Sequence, residues 1–185
     1  MNNYYYFYGG PCSQWYPSRF TVFGVEYNTA EQFMMAAKAS QFPGNQDILE
    51  KIMATNRPNE QKALGRKVRN FDAHSWNEVA RAVVAVGNHA KFSQNEDLKK
   101  FLNTHKHMEF VEASPYDCIW GIGLGMSDPD LNDPSKWQGS NYLGKCIDTA
   151  AWYIFNDAPE SNEAMAEAYD ITRCVFEGAF YDDRD

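Results

Sequence analysis

Residues 20–38 read Phe20-Thr-Val-Phe-Gly24-Val-Glu-Tyr27-Asn-Thr29-Ala-Glu31-Gln32-Phe33-Met-Met-Ala-Ala-Lys38. The first eight are mostly aromatic or β-branched, with a break at Gly24, which predicts extended chain. Thr29 stands three residues before Gln32, the spacing of a capping box, and good helix formers follow. A strand that leads into a capped helix makes the chain α+β. Outward from this stretch, Tyr4–Tyr8 predicts another strand, ended by Gly9-Gly10-Pro11. Short helices are expected over Asp47–Ala54 and Asn59–Arg69. Ser75-Trp-Asn-Glu78 and Ser93-Gln-Asn-Glu96 repeat the capping-box spacing. Val79, Val83, Val86 and Ala90 follow the first at helical intervals; Leu98, Phe101 and Leu102 follow the second. His107–Val111 predicts a short strand. Pro115–Gly144 is a long Gly-, Pro- and Asp-rich loop of the kind that carries function. Ile147–Phe155 and Ser161–Glu177 predict the last helices, ahead of the acidic tail Asp182-Asp-Arg-Asp185. The expected architecture is a predominantly helical α+β domain with a small N-terminal sheet, without repeat or linker.

The 185 residues are 44% hydrophobic and 23% charged, the balance of one folded domain with an ample core. A net charge of −8 and a pI near 5.0 argue against binding nucleic acid over the whole surface. A local basic strip remains compatible with that charge. MNNYYYFYGG lacks a basic n-region and a continuous apolar h-region, and no run reaches the ~20 apolar residues of a membrane span. Cys12, Cys118, Cys146 and Cys174 are far apart and form no C-x-x-C pair. Buried thiols in a reduced, cytoplasmic chain are the expectation.

Four features bear on chemistry. Glu31 and Lys38 are seven residues apart, two helical turns and ~10 Å along one face; they are either a first-turn acid with a solvated cation or an active pair. Glu112-Ala-Ser-Pro-Tyr-Asp117-Cys-Ile-Trp120-Gly121-Ile-Gly123-Leu-Gly125 joins carboxylates, an indole and alternating glycines. It reads either as a structural turn or as a ligand loop. With Met126 in place of the last glycine it is no dinucleotide fingerprint. Lys62, Arg66 and Arg69 fall at i, i+4 and i+7, a basic stripe that is either solvated or meets phosphate. Trp76, after a cap, and Trp137, in a polar loop, are less obviously core than Trp152 and could stack a base. Asp128-Pro-Asp130 imitates an EF-hand start but has Asp133 where glycine is needed and Gly139 where glutamate is needed. His105-Lys-His107-Met-Glu109 is read as a surface cluster before a metal site. Neither a Walker loop, G-x-S-x-G nor H-E-x-x-H occurs.

The ordered blocks Phe7-Tyr8, Ser13-Gln14-Trp15, Gly24 to Phe33, Ala37-Lys38, Leu64-Gly65-Arg66, Trp76 and Ala90-Lys91-Phe92 lead to a dense C-terminal set. That set is Val111-Glu112-Ala-Ser, Asp117-Cys-Ile-Trp120-Gly121-Ile-Gly123, Trp137-Gln-Gly139 and Asn141-Tyr-Leu143-Gly144. Together they resemble the NADAR, or YbiA-like, family over residues 4–155. The resemblance implies a mostly helical α+β fold over residues 1–156, with 157–185 as a C-terminal helical extension.

It also implies hydrolysis of an N-glycosidic bond of a ribose derivative. Candidate substrates are guanine carrying ADP-ribose, in DNA or a nucleotide, and ribosylamino-pyrimidine phosphates of the riboflavin pathway. A non-catalytic ADP-ribose or NAD sensor is the third possibility. The positions that match the family's site are Glu31, Trp76, Asp117 and Trp120, with Lys38 nearby. On that reading Glu31 and Asp117 are the carboxylates, and Trp76 and Trp120 stack on base or sugar. Lys38 assists the leaving group or a phosphate. Arg66, Gly121, Gly123, Asn141, Ser13 and Gln14 hold phosphates or ribose hydroxyls. No cofactor, metal or membrane is expected. Four positions depart from the family pattern: Gln14 stands for Asn, Gln32 for His, Asp148 for Met and Ala151 for Arg.

Overall fold

Two small sheets and seven α-helices are present among residues 3–156 and 159–177, the part that the computed structural model describes. The acidic tail lies outside those residues. β1 (Tyr4–Phe7) and a 3-10 turn (Gly10–Cys12) lead to a hairpin of β2 (Phe20–Val22) and β3 (Val25–Tyr27). Phe23 and Gly24 at its tip have φ of 50° and 78°, the positive pair that a tight hairpin with right-handed twist requires. The expected single extended run is therefore folded back on itself.

The helices are α1 (Ala30–Gln41), α2 (Gln46–Ala54), α3 (Pro58–Gly65), α4 (Ala73–Gln94), α5 (Glu96–His105), α6 (Tyr142–Phe155) and α7 (Pro159–Phe176). β4 (Glu109–Glu112) pairs in parallel with β1, with Tyr4 opposite Glu109 and Phe7 opposite Glu112. The strand that completes the first sheet thus comes from a hundred residues downstream. α4 is the central element, packed by α1, α5, α6 and α7. Phe33 of α1 sits in the core against Phe20, Tyr27 and Phe176. Gly87 of α4 leaves space for that ring, since a Cβ there would lie 2.7 Å from it.

Thr29 caps α1 as expected: its hydroxyl accepts from the Gln32 amide. Gln32 reaches back one residue further than a capping box does, accepting from the Asn28 amide, and its NH2 meets the carbonyls of Ile52 and Thr55. The other two boxes are corrected. Asp72 caps α4, accepting from the Ser75 amide and hydroxyl, so Ser75 lies inside the first turn. Ser93 and Gln94 remain helical to the end of α4, and Asn95 separates it from α5.

The cap shift also reverses the tryptophan ranking. Trp76 lies on the same inward face as Ala80 and Val83 and is only 6% exposed, whereas Trp152 is 46% exposed, on the outer face of α6. Trp137 is a loop anchor: its indole donates to the Leu131 carbonyl and its ring meets Tyr4 edge-on. Arg69 leaves the basic stripe because α3 ends at Gly65; its guanidinium turns to Asp47 and the Gly44 carbonyl. Cys12 and Cys146 are buried as expected, but Cys118 and Cys174 are exposed; all four are free thiols.

Residues 113–141 are irregular apart from a 3-10 turn at Pro134–Lys136, yet they enclose a small core of their own. Val111, Ala113, Ile122, Leu124 and Leu131 form it, with Tyr4, Tyr6 and Trp137 against it. α7 lies across α1, α4 and α6, so the chain beyond residue 156 is part of the same packed body. No helix among the described residues is long and apolar enough to cross a membrane.

Candidate active site

Glu31 is the second residue of α1, where unpaired amides and the helix dipole favour an anion. It is nevertheless 5% exposed, and burial dominates: its acid is pushed from 4.5 up to about 7. Lys62, the Trp15 indole, which hydrogen-bonds to the carboxylate, and Arg66 pull it back; Asp117 pushes it further up. Lys38, two turns along α1, is half-buried with its ammonium 4.1 Å over the exposed Phe71 ring. Burial and the neighbouring Arg66 lower its pKa, and Glu31 opposes them. Lys62 and Arg66 hold on α3 what the helical spacing promised, one face directed to Glu31, with Lys62 also over Trp15 at 6.0 Å.

The chain before α1 is fastened underneath. The Gln14 carbonyl accepts from the Glu31 amide at 3.0 Å. The Gln14 side-chain oxygen accepts from Asn88, and the Ser13 carbonyl accepts from the Lys91 ammonium at 2.8 Å. The Ser13 hydroxyl oxygen takes the Trp15 amide. Lys91 is fully buried beside the Phe92 and Tyr16 rings, and burial lowers its pKa to about 7. Ser13 and Gln14, expected to touch substrate, are thus engaged in holding Trp15 and Glu31.

The opposite wall is the loop after β4. Asp117 takes the amides of Ile119 and Trp120 on Oδ1, at 2.9 and 2.7 Å, which fixes the turn that carries Trp120. Trp120 is half-buried against the main core, edge-on to Tyr142. Gly121 and Gly123 do not form an open cradle of amides. The Gly123 amide donates to the Asp117 carbonyl and the Gly121 carbonyl takes the Asn141 amide. A Cβ on Gly121 would lie 2.9 Å from the carbonyl oxygens of Asp117 and Glu112, so glycine here permits backbone to pack on backbone. Asn141 is similarly spent: its Oδ1 accepts from the Glu112 amide at 3.0 Å and its NH2 donates to the Phe110 carbonyl at 2.9 Å. These three are corrected from ligand contacts to supports of the wall. Trp76, closed into the core, has no broad face left for stacking.

Glu112 belongs with the acids, although only its neighbours Asp117 and Trp120 were selected from its segment. Burial, and then Asp117, push its acid up to about 7, with Lys62 opposing and Glu31 adding to the rise. Its Oε2 is buried with no hydrogen-bond partner among the described residues. Trp15 and Phe71 were also missed as lining. Trp15 stood inside the quoted Ser13-Gln14-Trp15 block, whereas Phe71 carried no signal, since only tertiary packing brings it over Lys38.

Three carboxylates (Glu31, Glu112, Asp117) therefore face three cations (Lys38, Lys62, Arg66) beside exposed aromatic rings. Acids held near neutrality can trade a proton, and cations at their edge suit phosphate. Among the described residues no three His, Cys, Asp or Glu side chains converge as a metal site. Asp148 and Ala151 lie elsewhere: Asp148 accepts from the Phe110 amide and Ala151 is buried in α6.

The chain is 43% identical over 140 residues to "N-glycosidase R617" of Acanthamoeba polyphaga mimivirus, a match spanning 73% of this chain and 82% of that one. It is 36% identical over 160 residues to "Protein irg-1" of Caenorhabditis elegans, covering 77% and 75%. The NMR structure of the Escherichia coli protein YbiA superposes with a TM-score of 0.65 at 21% identity, over 90% of this chain and 88% of that one. The fold is therefore that of YbiA. The model of the NADAR domain matches residues 5–151. With both walls of the candidate site inside that span, the chain belongs to the NADAR family.

Proposed function

We propose that the protein is an N-glycosidase that hydrolyses a ribosyl C1′–N bond, and that its substrate is guanine carrying ADP-ribose, in DNA or a nucleotide. The observation that carries the reading is Glu31: a buried carboxyl at a helix N-terminus, held near neutrality, with Lys62 and Arg66 beside it. Cleavage of such a bond builds positive charge on C1′ and the ring oxygen, which a nearby carboxylate stabilises while it also activates water. Lys38, Lys62 and Arg66 are suited to the diphosphate, and Trp15 and Trp120 to the faces of base or ribose. The mimivirus relative, called an N-glycosidase, supports the reaction class.

A second reading, hydrolysis of ribosylamino-pyrimidine phosphates, is favoured by the overall charge of −8, since a small substrate needs no extended basic groove. Cytoplasmic residence belongs to either reading, in keeping with the exposed free thiols. The test is chromatographic. Wild type and Glu31→Gln are incubated with an oligonucleotide carrying ADP-ribosylated guanine and, separately, with the pyrimidine phosphate. Release of ADP-ribose by wild type alone is expected. Turnover of the pyrimidine phosphate alone moves the substrate to the second reading; binding of ADP-ribose without turnover leaves a sensor.

A further inference from the structure

Glu31 and Glu112 face each other's charge within one wall-to-wall site, and their surroundings are unequal. Glu31 has an indole donor, a helix N-terminus, and Lys62 and Arg66 near it, all of which favour its ionised form. Glu112 has only Lys62 on its side, against the two carboxylates Glu31 and Asp117. Its backbone is rigid: the amide donates to Asn141, and the carbonyl takes the amides of Ser114 and Ile122, both at 3.0 Å. The side chain therefore cannot be repositioned by a shift of the loop without breaking those bonds. Its buried Oε2 meets no donor. A bare carboxylate oxygen in that position is costly, whereas a protonated one is a hydrogen-bond donor without an acceptor, ready for a ligand atom.

We propose that Glu112 is the proton donor of the reaction: it holds the proton that the pair shares and delivers it from Oε2 to the departing nitrogen. The assignment rests on the N-glycosidase reading. As the C1′–N bond breaks, its electron pair goes to nitrogen, which takes the Glu112 proton. Water adds to C1′ and gives a proton to the Glu31 carboxylate. The products are the free base and ribose C1′–OH; Glu31 is then protonated and Glu112 ionised. Return of one proton from Glu31 to Glu112, directly or through water, restores the starting state. Asp117, with Oδ1 occupied by two amides, supplies the negative charge that keeps the proton on Glu112.

Two measurements test this. In a 13C-carboxyl NMR titration of protein labelled at glutamate Cδ, assigned with Glu31→Gln and Glu112→Gln, Glu112 should stay protonated after Glu31 has ionised. The reverse order, or Glu112 titrating near 4.5, overturns the proposal, and this reading requires no substrate. In turnover of the ADP-ribosylated guanine oligonucleotide, Glu112→Gln should lower kcat by about 10²–10⁴-fold with little change in KM, and remove the alkaline limb of the kcat–pH profile. Wild-type turnover by that variant overturns the donor role alone. Absence of turnover by the wild type on both substrates overturns the glycosidase reading and the donor role with it. If Glu112→Gln does not fold, Glu112→Asp takes its place in the kinetics: it should keep a low rate with the alkaline limb moved, and an unmoved limb counts against the donor.

Discussion

Trp15 touches the two sides of the site at once, donating to the Glu31 carboxylate while its ring lies below Lys62. Trp15→Phe keeps the ring and removes the donor, so the ionised form of Glu31 loses support and its acid should rise above about 7. A carboxyl NMR titration reads that shift; an unchanged midpoint would mean that the indole bond contributes nothing. Glu31→Gln keeps size and burial but cannot ionise. Turnover should fall about 10²–10⁴-fold while ADP-ribose binding persists, as calorimetry would check. At this scale the sequence was partly legible. Glu31, Lys38 and Asp117 stood out as charges beside apolar and glycine-rich residues, and the resemblance selected the same positions. Glu112 did not, because its role depends on an unpaired oxygen, a property of what packs around it rather than of its neighbours in the chain.

Among the elements, the join of β4 to the start of α6 is made by one side chain, Asn141, held at φ 52° and bonded to both Phe110 and Glu112. Asn141→Ala leaves two buried backbone groups unpaired and should cost about 2–4 kcal/mol, measured by urea denaturation. One turn on, a Cβ at Gly144 would fall 2.0 Å from the Phe110 carbonyl, so Gly144→Ala should part β4 from α6 and also lower stability. The helix from Thr29 was readable because the cap residue, its partner and the apolar run agreed. The boxes at Ser75 and Ser93 misled because the short pattern recurs by chance: Asp72 stood three residues upstream of Ser75 and won the cap, and the stretch at Ser93 was already helical. The glycine loop was open to two readings from sequence, and its hydrogen bonds decide for packing at Gly121 and Gly123.

Across the whole molecule, the buried ionisable groups make stability respond to pH from both sides. Glu31 and Glu112, held up to about 7, and Asp148, held up to about 6, bind protons in the fold that the unfolded chain has already released. Their contribution is complete below pH ~4 and is lost as pH rises through 6–7. Lys91 has the opposite sign: with its pKa lowered from 10.5 to about 7, the unfolded chain binds more protons, so stability grows as pH rises from 7 towards 10.5. These groups together should give a minimum of stability near neutral pH, visible in urea unfolding from pH 5 to 9. Glu112→Gln should flatten the acidic arm and Lys91→Met the alkaline one. Arms unaltered by either variant would remove those groups from the account.

The sequence by itself determined the fold class, most helices, the capped start of α1 and the family, since these depend on local propensity, periodicity and ordered motifs. Only the tertiary structure decided which strand pairs with β1, which tryptophans are buried, and where Arg69 turns. It also decided that Asn141 and the glycines brace a wall. Each of these depends on how segments far apart in the chain share limited buried space and satisfy one another's polar groups, and no local pattern encodes that.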